Sequence, residues 1–181
     1  MAAPPFDPNG AVRFDLRSGA ASDSRGARLV LVPSAALAQL GPDALTQIGL
    51  AIGRACGARV AARLGGDAGV RETQLEVVIT HLAGELAISG IGSIHIERWG
   101  RAMVAIVANP SIADDMFVGA VLGGALSAAS GREVAAAAIG RDATSARYFL
   151  GSPATADHVR VLVGKGMSHA EVLASLQRGA S

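Results

Sequence analysis

Apolar and polar positions change period several times along this chain, and each change marks an element. Arg28 to Pro33 reads Arg-Leu-Val-Leu-Val-Pro, a short apolar run that predicts a strand, with a short helix following from Ser34 to Leu40. Gly41, Pro42 and Asp43 open a long helix through about Leu64. Proline suits its first turn, and Asp43 at one end with Arg59 and Arg63 at the other complements the helix dipole. Gly65 and Gly66 stop it. A second helix, from about Thr73 to Ala87, places Leu75, Val78, Ile79, Leu82 and Leu86 on one face.

The period then drops to two. Ser93 to Trp99 and Arg101 to Ala108 read as two strands joined by a tight turn at Gly100, and Asn109-Pro110 ends the hairpin. Ser111 with Asp114 three residues on has the spacing of a capping box for a helix over Ile112 to Ser130. Glu133 to Ile139 and Ser145 to Leu150 predict two more strands. Helices over about 153–164 and 169–178 close the chain. Residues 1 to about 26, rich in Pro, Gly, Ala and Ser with balanced charge, are expected to be a disordered arm, which leaves a single domain over 27–181. The fold class is α/β in the α+β sense: a small, mostly antiparallel sheet of four or five strands packed with glycine-rich helices.

Met116 to Gly131 carries no charge over sixteen residues, and Gly and Ala supply eight of them. A spanning helix needs about 20 mostly apolar residues, and this run is closed by Asp114 and Asp115 before it and by Arg132 and Glu133 after it. Phe117, Val118, Val121, Leu122 and Leu126 are too apolar for a solvated linker. A closely packed helix remains. The first long helix carries Gly49, Gly53 and Gly57, and this one carries Gly119 and Gly123 beside Gly124, so fourfold spacing aligns each set on one ridge. Each helix-interior glycine costs roughly 1 kcal/mol relative to alanine, so the six cost about 6 kcal/mol. Close approach of another backbone can offset that cost. Three forms of it stay open: the two helices packing on each other, a two-fold dimer interface, or a groove for an apolar ligand.

Composition narrows the function classes. Half of the 181 residues are apolar, 17% are charged, and only six are aromatic, so Ala, Val, Leu and Ile must fill the core. A net charge of +1 gives no footprint for nucleic acid or anionic lipid. With one cysteine, Cys56, neither an intramolecular disulfide nor a cysteine-based zinc site can form. The first residues lack the basic start and apolar core of a secretory signal, so a cytoplasmic protein is expected.

Chemistry-bearing residues are scattered. His81, His95, His158 and His169 have no ligand spacing, and no Gly-Lys-Ser/Thr follows the glycines, so no metal, cofactor or catalytic residue is expected. His95 alternates with Ile94 and Ile96 and should face solvent. His81 lies beside the apolar stripe of its helix and is a candidate for packing or for a pocket. Cys56, one residue before a ridge glycine, suits a small buried apolar role. Asp114 and Asp115 fit a helix first turn better than a catalytic pair. Trp99 at the hairpin tip is either a partner contact or a cap that folds back on the core.

The run Gln47 to Arg54, a Gly-x-x-x-Gly followed by a basic residue, resembles the opening helix motif of the TRAPP-like vesicle-tethering subunits. Phe117 to Ser127 resembles their second motif, a glycine-rich helix after a β-hairpin. The bacterial relatives are the vinyl reductase domain proteins. Their C-terminal pattern resembles Gly131 to Val134, Gly140 to Asp142 and Ala146 to Phe149. The resemblance covers about residues 42–150. It implies a compact α/β domain, frequent homodimers and, in many members, a hydrophobic pocket or channel. Many bacterial members have a cysteine pair that suggests metal binding; the matching places here fall at or near Ala136 and Ala146, so that site is absent or replaced. Cys56 lies inside a helix and does not match the lipid-bearing cysteine of some tethering subunits.

The expected function is that of a non-enzymatic, homodimeric interaction or adaptor domain in a bacterial multi-protein assembly, its protein partner unknown. The alternative is a sensor or carrier holding an apolar small molecule between the glycine-rich helices. Gly49, Gly53, Gly57, Gly119, Gly123, Gly124, Phe117, His81 and Trp99 are the candidate interface or pocket residues.

Overall fold

A computed structural model describes residues 5–100 and 102–178. The chain runs through a 3-10 turn at Pro8–Gly10, then β1 (Val12–Asp15), β2 (Ala20–Asp23), β3 (Arg28–Leu29) and α1 (Ser34–Leu37). The helices α2 (Pro42–Arg63), α3 (Gly66–Glu72) and α4 (Leu75–Ile88) follow. Next come the hairpin β4 (Ser93–Trp99) and β5 (Ala102–Ala108), helix α5 (Asp115–Ser130) and the hairpin β6 (Ala135–Arg141) and β7 (Ser145–Gly151). α6 (Pro153–Gly164) and α7 (His169–Arg178) complete it.

The architecture is α+β. The main sheet is antiparallel throughout, in the order β4-β5-β7-β6, and a second, three-stranded antiparallel sheet has the order β1-β2-β3. Alternation along the central strands divides the interior in two. Ala105 and Val107 of β5 and Ala146, Tyr148 and Leu150 of β7 face the core formed by α2, α4 and α5. Ala102, Val104 and Phe149 face the opposite way, against Val159 and Leu162 of α6 and Val172 and Leu173 of α7. Helix α5 lies between β6 on one side and α2 on the other.

Several boundaries differ from those the sequence predicts, each for a local reason. The expected strand over 28–33 pairs only at Arg28 and Leu29; Val30 and Leu31 stay exposed. Helix α5 begins three residues later than expected. The Asp114 carboxylate accepts the Phe117 N–H at 2.7 Å and is the N-cap, while the Ser111 hydroxyl donates to the Gly90 carbonyl instead. The stripe of α4 is rotated: Leu75 is exposed, and His81 and Glu85 join Val78, Leu82 and Leu86 inside. The expected second strand of the first hairpin began at Arg101, which lies outside the described residues.

The largest correction concerns the N-terminal arm. Its first four residues lie outside those described, but residues 5–26, expected to be disordered, hold the 3-10 turn, β1 and β2. Composition suggests disorder because Pro, Gly, Ala and Ser dominate and charge is balanced. Three anchors suffice nonetheless: Phe6 packs against α4, Ala11 is 1% exposed, and the buried Asp23 carboxylate reaches Arg59 of α2.

Candidate functional site

The glycine ridges come first, because they decide where space is left. A Cβ on Gly49 would lie 2.8 Å from the Phe117 carbonyl oxygen, and Cβ atoms on Gly53 and Gly57 would overlap the carbonyl oxygens of Val121 and Ala125. From the other side, a Cβ on Gly124 would lie 2.7 Å from the Leu50 carbonyl oxygen. These four glycines let α2 and α5 touch backbone to backbone within one chain. Phe117 is buried in the same seam. Where the two backbones touch the seam is filled, and at its edge Leu50 and Arg54 of α2 and Gly124 of α5 line an open cleft.

Gly119 and Gly123 look the other way. A Cβ on Gly119 would meet the Ala136 carbonyl oxygen at an ordinary 3.5 Å, and one on Gly123 would lie 3.1 Å from the Val134 carbonyl oxygen. This face of α5 leans over β6, the edge strand of the main sheet. Beside it runs a cleft of about 980 Å³. Its walls are Gly119, Ala120 and Gly123 of α5, Ala136 and Ala138 of β6, Thr46, Leu50 and Arg54 of α2, and Arg160 and Val163 of α6. Small residues on facing elements create the space, and a volume of this order holds a small organic molecule. Two ties fix the walls. Ser127 Oγ accepts the Val134 N–H at 2.9 Å, and Arg160 Nη2 donates to the Ala136 carbonyl at 2.8 Å.

The cleft also has charged lining, from Arg54, Asp115, Arg132, Glu133 and Arg160. Asp115, in the first turn of α5, accepts the Tyr148 hydroxyl on Oδ1 at 2.8 Å and pairs with Arg141 through the same oxygen. Burial, and then donation to Asp115, hold the Tyr148 phenol far above its ordinary pKa, so it stays a neutral donor. The hydrogen bond to Asp115 also raises Arg141. The Asp115 side chain remains 45% exposed and lines the cleft, with the exposed Met116 beside it. Sequence reading assigned Asp114 and Asp115 alike to capping. Asp114 alone caps, and that division frees Asp115 for this role.

Among solved structures, the chain is similar to the phenol-responsive sensory domain of the transcription activator PoxR, determined with phenol. The likeness has a TM-score of 0.57 at 12% identity and covers 77% of this chain and 84% of that one. It shows a shared fold. No protein-family model matches the chain, and no curated protein does.

The remaining candidates fall outside the cleft. His81 is buried on α4, its ring edge-on to Phe6 with centroids 5.9 Å apart. Trp99 folds back: its Nε1 donates to Glu97 at 2.6 Å, and its ring lies 6.0 Å from that of His169 on α7. It therefore covers the α6–α7 side of the core. His95 faces solvent as its alternation predicts.

A buried ionic cluster links the arm, α2 and α4. Arg59 donates to Glu85 at 2.6 Å through Nε, and its other nitrogens lie 3.5 Å from Asp23 and 3.3 Å from the Cys56 sulfur. Arg63 pairs with the second Glu85 oxygen. Burial pushes the Cys56 thiol up, which makes it a poor nucleophile. Residues 23, 59 and 85 carry no sequence signal as a set. The one readable hint was that Glu85 follows His81 by four on an apolar face.

Among the described residues, no three or more His, Cys, Asp or Glu side chains are grouped to hold a metal ion. Ala136 and Ala146, where the family resemblance placed cysteines, are buried in the sheet. No helix among the described residues is long and apolar enough to cross a membrane.

Proposed function

We propose that this chain is a non-catalytic sensory domain whose ligand is a small, mostly apolar molecule bound in the cleft between α5, β6 and α6. The cleft itself carries the reading: glycine and alanine leave space along its walls, and its lining offers the Asp115 carboxylate beside Tyr148 and Arg141. Such a site suits an apolar body ending in a hydroxyl or amine, which donates to Asp115. The similarity to a sensory domain determined with phenol supports a ligand of that class. Kinship with the TRAPP-like and vinyl reductase domain proteins is part of the proposal, supported by the glycine motifs of α2 and α5.

The test is binding of a panel of phenols and cyclic alcohols, followed by native mass spectrometry and titration. Wild-type protein is expected to bind at least one member, and Gly119→Leu, which fills the cleft, to lose it. Protein that purifies without added mass and binds nothing in the panel would count against the reading.

A second reading, association between copies of the chain or with another protein, rests on Leu16, Val30 and Leu31, which are 91%, 85% and 75% exposed. Sedimentation of wild type against Val30→Lys tests the self-association: a dimer that the variant splits supports it, and a monomer in both refutes it.

A further inference from the structure

The main sheet has two edges, and the fold treats them differently. β6 lies against α5 and α6, and its pairing with β7 shifts register between Ala138 and Gly140. Helix cover and a register shift are both devices that keep an edge from pairing with another chain. β4, at the opposite end of the order β4-β5-β7-β6, is built without the second of these and contains no proline or glycine. Its register with β5 is unbroken, from Ser93 opposite Ala108 to Trp99 opposite Ala102. Among the described residues, no strand pairs with its outer side. Every second residue of this seven-residue strand therefore turns its backbone N–H and C=O outward.

The side chains on that edge say what fits it. Ser93, His95, Glu97 and Trp99 share one face. His95 is 72% exposed and Glu97 38%, and the Glu97 carboxylate is held in place by accepting the Trp99 indole N–H at 2.6 Å. A second copy added antiparallel about a two-fold axis must centre on a residue, because backbone groups of the same orientation have to face each other. Centring on Glu97 sets carboxylate against carboxylate, and centring on His95 sets imidazole against imidazole. Centring on Ile96 sets His95 of each copy opposite Glu97 of the other, with the two Ile96 side chains meeting at the axis. We propose that the outer edge of β4 is a homodimer interface in the register centred on Ile96, which joins two four-stranded sheets into one continuous sheet. The cleft lies beside β6 at the far edge, so it stays open in the dimer. The interface is also separate from the exposed Val30 and Leu31, which follow β3 of the smaller sheet.

The experiment is sedimentation of full-length wild type, Val30→Lys, His95→Glu, Glu97→Arg and an equimolar mixture of the last two. Wild type and Val30→Lys should be dimers. His95→Glu opposes carboxylates at two places and Glu97→Arg takes away both acceptors, so each alone should dimerise about 10-fold or more weakly. Mixing them should restore the dimer, because a carboxylate on one chain then meets the guanidinium on the other. A monomeric wild type overturns the proposal, and so does a dimer that His95→Glu leaves intact or that Val30→Lys splits. Folded variants that separate but do not recover on mixing also overturn it. Hydrogen exchange on wild type decides the matter if a variant fails to fold: residues 93–99 should exchange more slowly at high protein concentration than at low, and equal exchange overturns the proposal.

Discussion

The carbonyl oxygen of Val121 on α5 stands where a Cβ on Gly53 of α2 would have to be. Neither side can yield, because both are backbone in well-packed helices. Gly53→Ala should therefore destabilise the fold by about 2–3 kcal/mol although alanine is the better helix former. Urea unfolding measures this. Gly119→Ala, whose new Cβ meets only an ordinary contact, should be neutral or stabilising by up to about 1 kcal/mol.

Glu85 neutralises two arginines inside the protein, and its side chain is 1% exposed. Removing its charge takes the Glu85 partner from Arg63 and leaves Arg59 only the longer contact to Asp23, a loss of about 3–5 kcal/mol for breaking a buried pair. Glu85→Ala should accordingly show a much lower denaturation midpoint. The double variant Glu85→Leu with Arg59→Met should recover only part of the loss, because Arg63 and Asp23 each still lose a partner.

Tyr148→Phe removes the hydroxyl that Asp115 accepts and leaves the ring buried. Asp115 keeps Arg141, so the cost should be about 1 kcal/mol. A ligand that donates to Asp115 should bind this variant at least as well as wild type, since one competing donor has gone. Asp115→Asn should weaken the same ligand, and titration distinguishes the two.

Acid should loosen the arm first. Burial alone would raise the Asp23 carboxyl, but backbone N–H groups of Ala27 and Arg25 and the Arg59 guanidinium outweigh it and hold its pKa below the ordinary value. A folded pKa below the unfolded one means that this contribution is complete above about pH 4 and is lost as pH falls through the lower, folded value. Asp142, in the β6–β7 turn, is depressed by the Ser145 hydroxyl and by backbone N–H groups, and it follows the same sign. Hydrogen exchange between pH 5 and pH 2.5 should show residues 11–23 opening before the main sheet.

The sequence made the scaffold readable and the site only half so. Start and stop signals located α2, α6 and α7, and short apolar runs located both hairpins, because each of these is written locally in the chain. The glycine ridges predicted close approach, but spacing alone could not separate Gly124, which faces α2, from Gly123, which faces β6. One residue of helix rotation decides between a sealed seam and an open wall. The arm was misread for a different reason. Its order depends on partners 36 residues away or more, Arg59 for Asp23 and Gly84 for Phe6, and local composition holds no record of them.

The seam between α2 and α5 also constrains how the chain can reach this structure. Gly49, Gly53 and Gly57 meet residues 117, 121 and 125 in rising order, so the two helices run parallel, with a constant offset of 68 residues between contacting positions. Parallel neighbours cannot be joined by a short turn, and here α3, α4, β4 and β5 fill the connection. The best-packed contact in the molecule is thus also one of its least local. Loop closure must precede any gain from it, which makes for slow folding. Until the seam closes, the glycines of both helices are a liability, and α2 synthesised alone should stay largely uncoiled until α5 arrives.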